Sequence, residues 1–329
     1  MKYNYVVFGS DDPYYVLGYD ELNHRNDSQY LDTLFCQRKL KKTMRVLRKI
    51  HMTPRIKKYI ELPWKYIWNK RLYSNCFDNG KPICFLFFSA GEFTDHIPYG
   101  FVEYLKKEYP DSKYAVFYQD LVGSNKRTVS FDMFREKMDL LISFDYHDCK
   151  KYKMLYHPLV YSDIAGKIKE LDEKSDIYFC GAEKNRLTEI LEAYEFFNEL
   201  GLKCDFNIIT TNEELLKEQM SGIHYCRKFS YFENLRHIKS CNTMLEIMQK
   251  GGTGFTIRAL ECIAFNKKLI TNNSYIKEAH FYNTNNIILY DQNKKAEFYI
   301  EFIKHKASSY EYMETVLPYE LLQFIDDNL

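Results

Sequence analysis

The stretch 240–291 constrains the chain more than any other. It reads SCNTMLEIMQKGGTGFTIRALECIAFNKKLITNN and, after a polar gap, NNIILYD. A short apolar segment (243–248) leads into a turn carrying Gly251, Gly252 and Gly254. An amphipathic helix follows with Arg258 and Glu261 one turn apart, then a buried-type strand at 268–271. Strand, glycine loop, helix, strand is half of a Rossmann-type unit. The first N–H groups of a helix have no partner within it and lie at the positive end of its dipole, so such a loop can hold a phosphate. Thr253 and Thr256 can cap the helix or donate to that phosphate. Arg258 can neutralise a diphosphate, and Glu261, at i+3 on the same face, can accept both hydroxyls of a ribose. By itself the loop reads equally as a structural turn with an Arg–Glu surface pair. It matches neither G-x-G-x-x-G nor the P-loop pattern, so neither nicotinamide nor ATP chemistry is indicated.

The remainder of the chain repeats this alternation. Strand-like runs stand at 5–9 (YVVFG), 81–89 (KPICFLFFS), 114–118 (YAVFY) and 140–144 (LLISF), with helical patterns between them. Residues 31–71 read as helices broken at Pro54 and Pro63. After a linker-like YHPLVYSD (156–163) the pattern restarts: a strand at 176–180, a helix at 186–200, a strand at 204–210, a short strand at 229–231 and a helix at 233–239. Helices at 296–306 and 319–328 close the chain. Strands alternating with helices predict parallel α/β sheets, and 329 residues suit two domains. We expect an N-terminal Rossmann-like domain (1–158) with a basic helical insertion (31–71), a second Rossmann-like domain (159–311), and a last helix (312–329) packing back on the first. The nine cysteines are scattered without C-x-x-C, as expected of buried thiols in a reducing cytoplasm rather than of disulfides or a zinc site. The chain runs from Met1 straight into a strand, so no signal peptide is expected. No apolar run approaches the roughly 20 residues that span a bilayer.

Residues 37–71 carry thirteen Lys or Arg against Glu61 alone, a formal +12 in a chain whose net charge is +1. Both tryptophans, Trp64 and Trp68, fall in this block at helical spacing, and Leu40, Met44, Leu47 and Ile50 read as one apolar face. Such a run can be a solvated helix face. Interfacial Trp beside Lys and Arg also suits an anionic membrane surface. No nucleic-acid motif accompanies the block, so nucleic acid is not expected as a partner.

The run TGFTIRALECIAFNKKLIT (253–271) resembles the donor-site motif of GT-B glycosyltransferases, above all bacterial transferases of surface polysaccharide and lipopolysaccharide synthesis. Gly254-Phe255 matches the family's turn, and Glu261 falls where its ribose-binding Glu stands. YFCGAEKNRLTEILEAYEFF (178–197) is similar to the opening of the second GT-B domain, where a basic residue meets the diphosphate; the likeness implies Gly181, Lys184 and Arg186. YFENLRHIKSCNTMLEI (231–247) is similar to the segment before the donor loop and adds Tyr231 to a donor set that includes Gly252, Thr253, Gly254, Thr256, Arg258 and Glu261. The resemblance covers about 156–291 in sequence and 1–155 in architecture only. It implies an α/β chain of two Rossmann-like domains facing a cleft, binding a nucleotide-sugar donor on the second domain and a glycan or lipid-linked acceptor on the first. One departure is plain: Thr253 occupies the first Glu position of Glu-x7-Glu, so no anomeric outcome is implied.

No two Asp stand at i, i+2. The metal-holding Asp-x-Asp of the other large glycosyltransferase fold is therefore missing, and neither a metal nor another cofactor is expected. A catalytic base should lie in a loop at a strand end of the first domain. Glu92 and Asp95, with His96 as an orienting neighbour, are the favoured candidates; Asp11 and Asp12 after the first strand, and His147 and Asp148 after the fourth, are weaker ones. The expected enzyme is a metal-independent glycosyltransferase, cytoplasmic and peripheral on the inner face of the membrane. A GT-B-type nucleotide-sugar epimerase and a non-catalytic partner subunit are the alternatives.

Overall fold

The computed structural model describes residues 1–32, 40–53, 64–73, 76–88, 100–122, 135–218, 220–248, 255–291, 293–307, 309–310 and 316–329. The chain divides into two compact units, Met1–Val160 with Pro318–Leu329, and Tyr161–Leu317.

The first unit holds strands β1 (Asn4–Gly9), β2 (Ser28–Asp32), β3 (Ile83–Phe88), β4 (Lys113–Tyr118), β5 (Leu140–Ser143) and β6 (Leu155–Tyr156). They form one sheet in the order β2-β1-β3-β4-β5-β6, and every pairing is parallel. Parallel sheets are covered on both faces, so their inner strands are apolar without alternation. Accordingly β1 and β3 are buried along their whole length. Aromatic rings fill the layer above them: Phe8 stacks on Phe87 with centroids 5.2 Å apart and meets the edge of Phe101 at 5.4 Å. Helices α1 (Pro13–Gly18), α2 (Lys42–Met52), α3 (Asn69–Leu72), α4 (Phe101–Glu108) and α5 (Tyr146–Tyr152) belong to this unit. So does the last helix of the chain, Pro318–Asn328. Its Asp326 accepts the Lys2 backbone N–H at 2.8 Å and the Tyr5 hydroxyl at 3.0 Å, fastening it beside β1.

The second unit repeats the design with β7 (Ser175–Ala182), β8 (Cys204–Ile209), β9 (Ile223–Cys226), β10 (Cys241–Glu246), β11 (Lys268–Thr271) and β12 (Ile287–Leu289). Their order is β12-β11-β10-β7-β8-β9, again wholly parallel. Helices α6 (Leu187–Glu199), α7 (Tyr231–Ser240) and α8 (Ile257–Ala264) lie between these strands in the chain, and α9 (Ala296–Lys304) follows the last of them; the closing helix Pro318–Asn328 is α10.

Four strands escape the sequence pattern, all at sheet edges: the short β6 and β12, which no expected strand covers, and β2 and β9. β2 falls partly where helix is expected, and β9 precedes the expected strand at 229–231, where Tyr231 instead opens α7. An edge strand needs less apolar cover, so no continuous hydrophobic run announces it: His224 of β9 is exposed between buried Ile223 and Tyr225. The chain passes between units at 160–161 and 317–318. Among the described residues no helix is long and apolar enough to cross a membrane. Eight cysteines are described, all as free thiols; six of them are buried.

The strand orders fix where a ligand can go. In each sheet, chain connections run outward in opposite directions from one central pair: β1 and β3 in the first unit, β7 and β10 in the second. At such a switch point the loops after the two strands part and leave a crevice at the carboxyl ends.

Candidate functional site

The crevice of the second unit gathers most of the donor residues read from the sequence. β7 ends at Gly181-Ala182 and its chain turns into α6, with Arg186 as the residue before the helix. Arg186 folds back over the strand end. Its Nε and Nη2 donate to the Ala182 carbonyl at 3.2 and 3.1 Å, and its Nη1 reaches the Ile247 carbonyl just after β10. One guanidinium thus joins the two strands that border the crevice. Gly181 makes room for it, because a Cβ there would stand 2.8 Å from Arg186 Nη2.

Arg258 comes from the opposite side, in the first turn of α8. Thr256 caps that helix, its hydroxyl accepting the Arg258 N–H at 3.1 Å. The Arg258 side chain donates from Nη2 to the Cys180 carbonyl at 2.8 Å and from Nη1 to Glu261 Oε2 at 3.0 Å. Both guanidiniums are only partly buried and close enough to feel each other: burial and the Arg258 charge pull the Arg186 pKa down, with Glu246 opposing. Burial also works against the Arg258 cation, but the Glu261 carboxylate prevails and holds its pKa above the ordinary value.

Glu261 is wholly buried. Oε1 accepts the Tyr231 hydroxyl at 2.8 Å and the Asn234 amide at 3.4 Å, leaving Oε2 to Arg258. Burial raises its pKa while Arg258, Tyr231 and Asn234 draw it back. Burial likewise keeps Tyr231 a neutral phenol, and Tyr161 meets its hydroxyl at 2.6 Å. Tyr178 fixes the Asn234 amide by donating to Oδ1 at 2.9 Å.

A second buried carboxylate, Glu246 at the end of β10, goes unread in the sequence. It accepts the hydroxyls of Thr256 and, at 2.5 Å, of Thr271. A lone acid closing the apolar run TMLE was its only signal. The acids of this crevice are therefore occupied by fixed donors, several of them neutral. Arg186 spends its donors on neutral carbonyls and forms no ion pair among the described residues. Two guanidiniums thus stand beside two carboxylates at the mouth, and the N-termini of α6 and α8 add positive potential there. Such a site suits a compact anion that two guanidiniums can grip.

The structure thus brings together Gly181, Arg186, Tyr231, Thr256, Arg258 and Glu261. Lys184 is exposed in left-handed backbone at φ 44° and takes no part in these contacts. Gly252, Thr253 and Gly254, and the base candidates Glu92, Asp95 and His96, lie outside the described residues. Of the weaker base candidates, Asp12 caps α1 through the Tyr14 N–H, and Asp148 is buried, holding the Val122 N–H at 2.6 Å. Those are fastening roles.

No protein-family profile matches the chain, and no curated protein sequence is significantly similar to it. Solved structures are. An alpha-glucosyltransferase in complex with UDP-glucose and DNA containing an abasic site superposes with a TM-score of 0.61 over 98% of each chain, at 12% identity. A Listeria monocytogenes protein named for UDP-N-acetylglucosamine 2-epimerase activity gives 0.54 over 99% of this chain and 96% of its own, at 9% identity. The fold is GT-B. The GT-B architecture implied by the 253–271 likeness is therefore present, and it is shared by transferases and epimerases alike.

Proposed function

We propose that this protein is a glycosyltransferase that moves a sugar from a nucleotide diphosphate donor to a growing surface glycan or lipid-linked oligosaccharide. The observation that carries the proposal is the convergence of Arg186 and Arg258 on the carboxyl ends of β7 and β10. Glycosyl transfer expels a nucleotide diphosphate, and charge grows on that leaving group as the glycosidic bond breaks. Preorganised cations and helix N-termini aimed at such a charge are the largest single source of catalysis in many enzymes. Arg186 and Arg258 would supply that charge without a metal. Glu261, wholly buried and held in place by Tyr231 and Asn234, would position the Arg258 guanidinium. The base would come from the Glu92–Asp95 loop of the first unit.

Thermal unfolding with UDP, GDP, CMP and dTDP tests the donor class. A ligand present at a hundredfold excess over its Kd stabilises the native state by about 2.7 kcal/mol. One nucleotide, with UDP the first choice because it accompanies the transferase structure of the same fold, should raise Tm by several degrees. No shift with any of the four would sink the reading. Gly181→Ala should displace the Arg186 guanidinium from Ala182. Losing charge-assisted contacts of about 1.5–3 kcal/mol should weaken nucleotide diphosphate binding roughly ten- to hundredfold, with Tm little changed; calorimetric titration reads this.

The epimerase reading shares the fold and the donor. Incubating donor alone separates the two, because an epimerase interconverts the sugar without an acceptor. A partner subunit without turnover would neither hydrolyse nor transfer in any condition.

A further inference from the structure

The basic insertion is organised differently from what its sequence suggests. Trp68 is buried, and its indole N–H donates to His51 Nδ1 at 2.9 Å. His51 stands on α2, so this bond fixes which side of α2 faces the protein. Met44, Arg48 and His51, at i, i+4 and i+7, form the inward side; Arg48 and His51 are buried. Of the apolar face read from the sequence, Leu47 and Ile50 are thereby turned out, while Leu40 is buried and Met44 lies on the inward side. Val46, Leu47 and Ile50 lie on one stripe at i, i+1 and i+4 with Thr43 preceding them, and they are 56%, 38% and 44% exposed. Lys42, Arg45 and Lys49, at i, i+3 and i+7, are exposed along the flank of that stripe. Trp64, one turn before Trp68, is 67% exposed and holds the left-handed conformation at φ 60°, which is unfavourable for a bulky side chain.

We infer that this solvent-facing stripe of α2, with Trp64, is a docking surface for an anionic lipid bilayer. A helix lies in the membrane interface when an apolar stripe enters the acyl boundary while flanking Lys and Arg keep their charges at the headgroups. An exposed tryptophan strengthens such a contact. The charge complementarity is strong: the insertion holds thirteen cations and one acid. Nucleic acid would reward the cations but gain nothing from three outward aliphatic side chains. The inference gives the lipid-linked acceptor of the proposed function a place to be met, yet it does not need the transfer reaction. Vesicle binding is measured without donor and the nucleotide screen without vesicles, so either can fail alone.

Co-sedimentation of the full chain with vesicles tests it. Protein should pellet with phosphatidylcholine–phosphatidylglycerol vesicles at roughly two to one, and stay in solution with phosphatidylcholine alone, because each cation near an anionic surface adds about fivefold to binding. The triple variant Val46→Ser, Leu47→Ser, Ile50→Ser should lose tenfold or more, as should Lys42→Glu with Lys49→Glu. Both variants change exposed positions, and an unchanged Tm would show that they fold. The inference is overturned if wild type ignores anionic vesicles, or if the serine variant binds them like wild type. It is also overturned if duplex DNA binds, charge reversal abolishes that binding and the serine variant retains it, with no vesicle binding.

Discussion

The Arg258→Ala variant is expected to transfer sugar about 10²–10³ times more slowly than wild type, the usual loss when one preorganised donor to a developing anion is removed. It should also unfold more easily. Glu261 has no exposure and depends on Arg258 for its only cationic partner among the described residues; breaking a buried pair by deleting one member costs roughly 3–5 kcal/mol. The deficit should depend on pH with a definite sign. Burial already raises the folded Glu261 pKa above its ordinary value, and without Arg258 nothing cationic opposes it. Stability from such a group is fully present below the unfolded carboxylate pKa and is lost as pH rises through the folded one. The deficit of the variant should therefore be largest near neutrality and shrink in acid. The double variant Arg258→Ala, Glu261→Ala should recover part of the stability and none of the transfer. Urea unfolding across pH, beside a transfer assay, separates the two effects. A variant as active as wild type would remove Arg258 from the chemistry.

The second large effect belongs to the first unit. Trp68→Ala should cost about 3–5 kcal/mol, as large aromatic truncations in a core do, whereas Trp64→Ala should stay within roughly 0.5 kcal/mol, as exposed substitutions do. The chain has two tryptophans, so each variant leaves the other as sole reporter. Trp68 alone should emit at short wavelength and shift red on unfolding. Trp64 alone should already emit like indole in water. Equal stability losses in the two variants would contradict the buried Trp68–His51 bond.

Those tryptophans show what spacing leaves undecided. Two residues at i, i+4 share a face only if the backbone between them is one helix. Trp64 is left-handed and the following turn is a 3-10 helix (Lys65–Trp68), so one ring faces water while the other is enclosed. The same limit governs α2. Its apolar periodicity is visible in the sequence, but the Trp68–His51 bond decides that Val46, Leu47 and Ile50 face outward.

In the second unit, more was legible. The strands β7, β8, β10 and β11 stand out as apolar runs because a parallel sheet buries both faces of its inner strands. Arg258 and Glu261 are noticeable because they lie in the first turns of a helix after a glycine-rich loop, where chemistry collects, whereas Gly181 and Arg186 are implied only by the likeness of 178–197 to the opening of a second GT-B domain. Glu246 was not noticeable, since a carboxylate held by Thr256 and Thr271 depends on two residues well separated from it in sequence.

The sequence by itself determined the alternation of strands and helices, hence two parallel α/β units, and which loops carry the charged and glycine residues. These follow from local periodicity and backbone preference. Only the tertiary structure decided that Arg186 spans β7 and β10, that Tyr231 and Asn234 claim one oxygen of Glu261, and that α2 turns its aliphatic stripe to solvent. Each of these rests on contacts between residues tens of positions apart, or on which side of a helix a neighbouring element covers, and no local pattern encodes that choice.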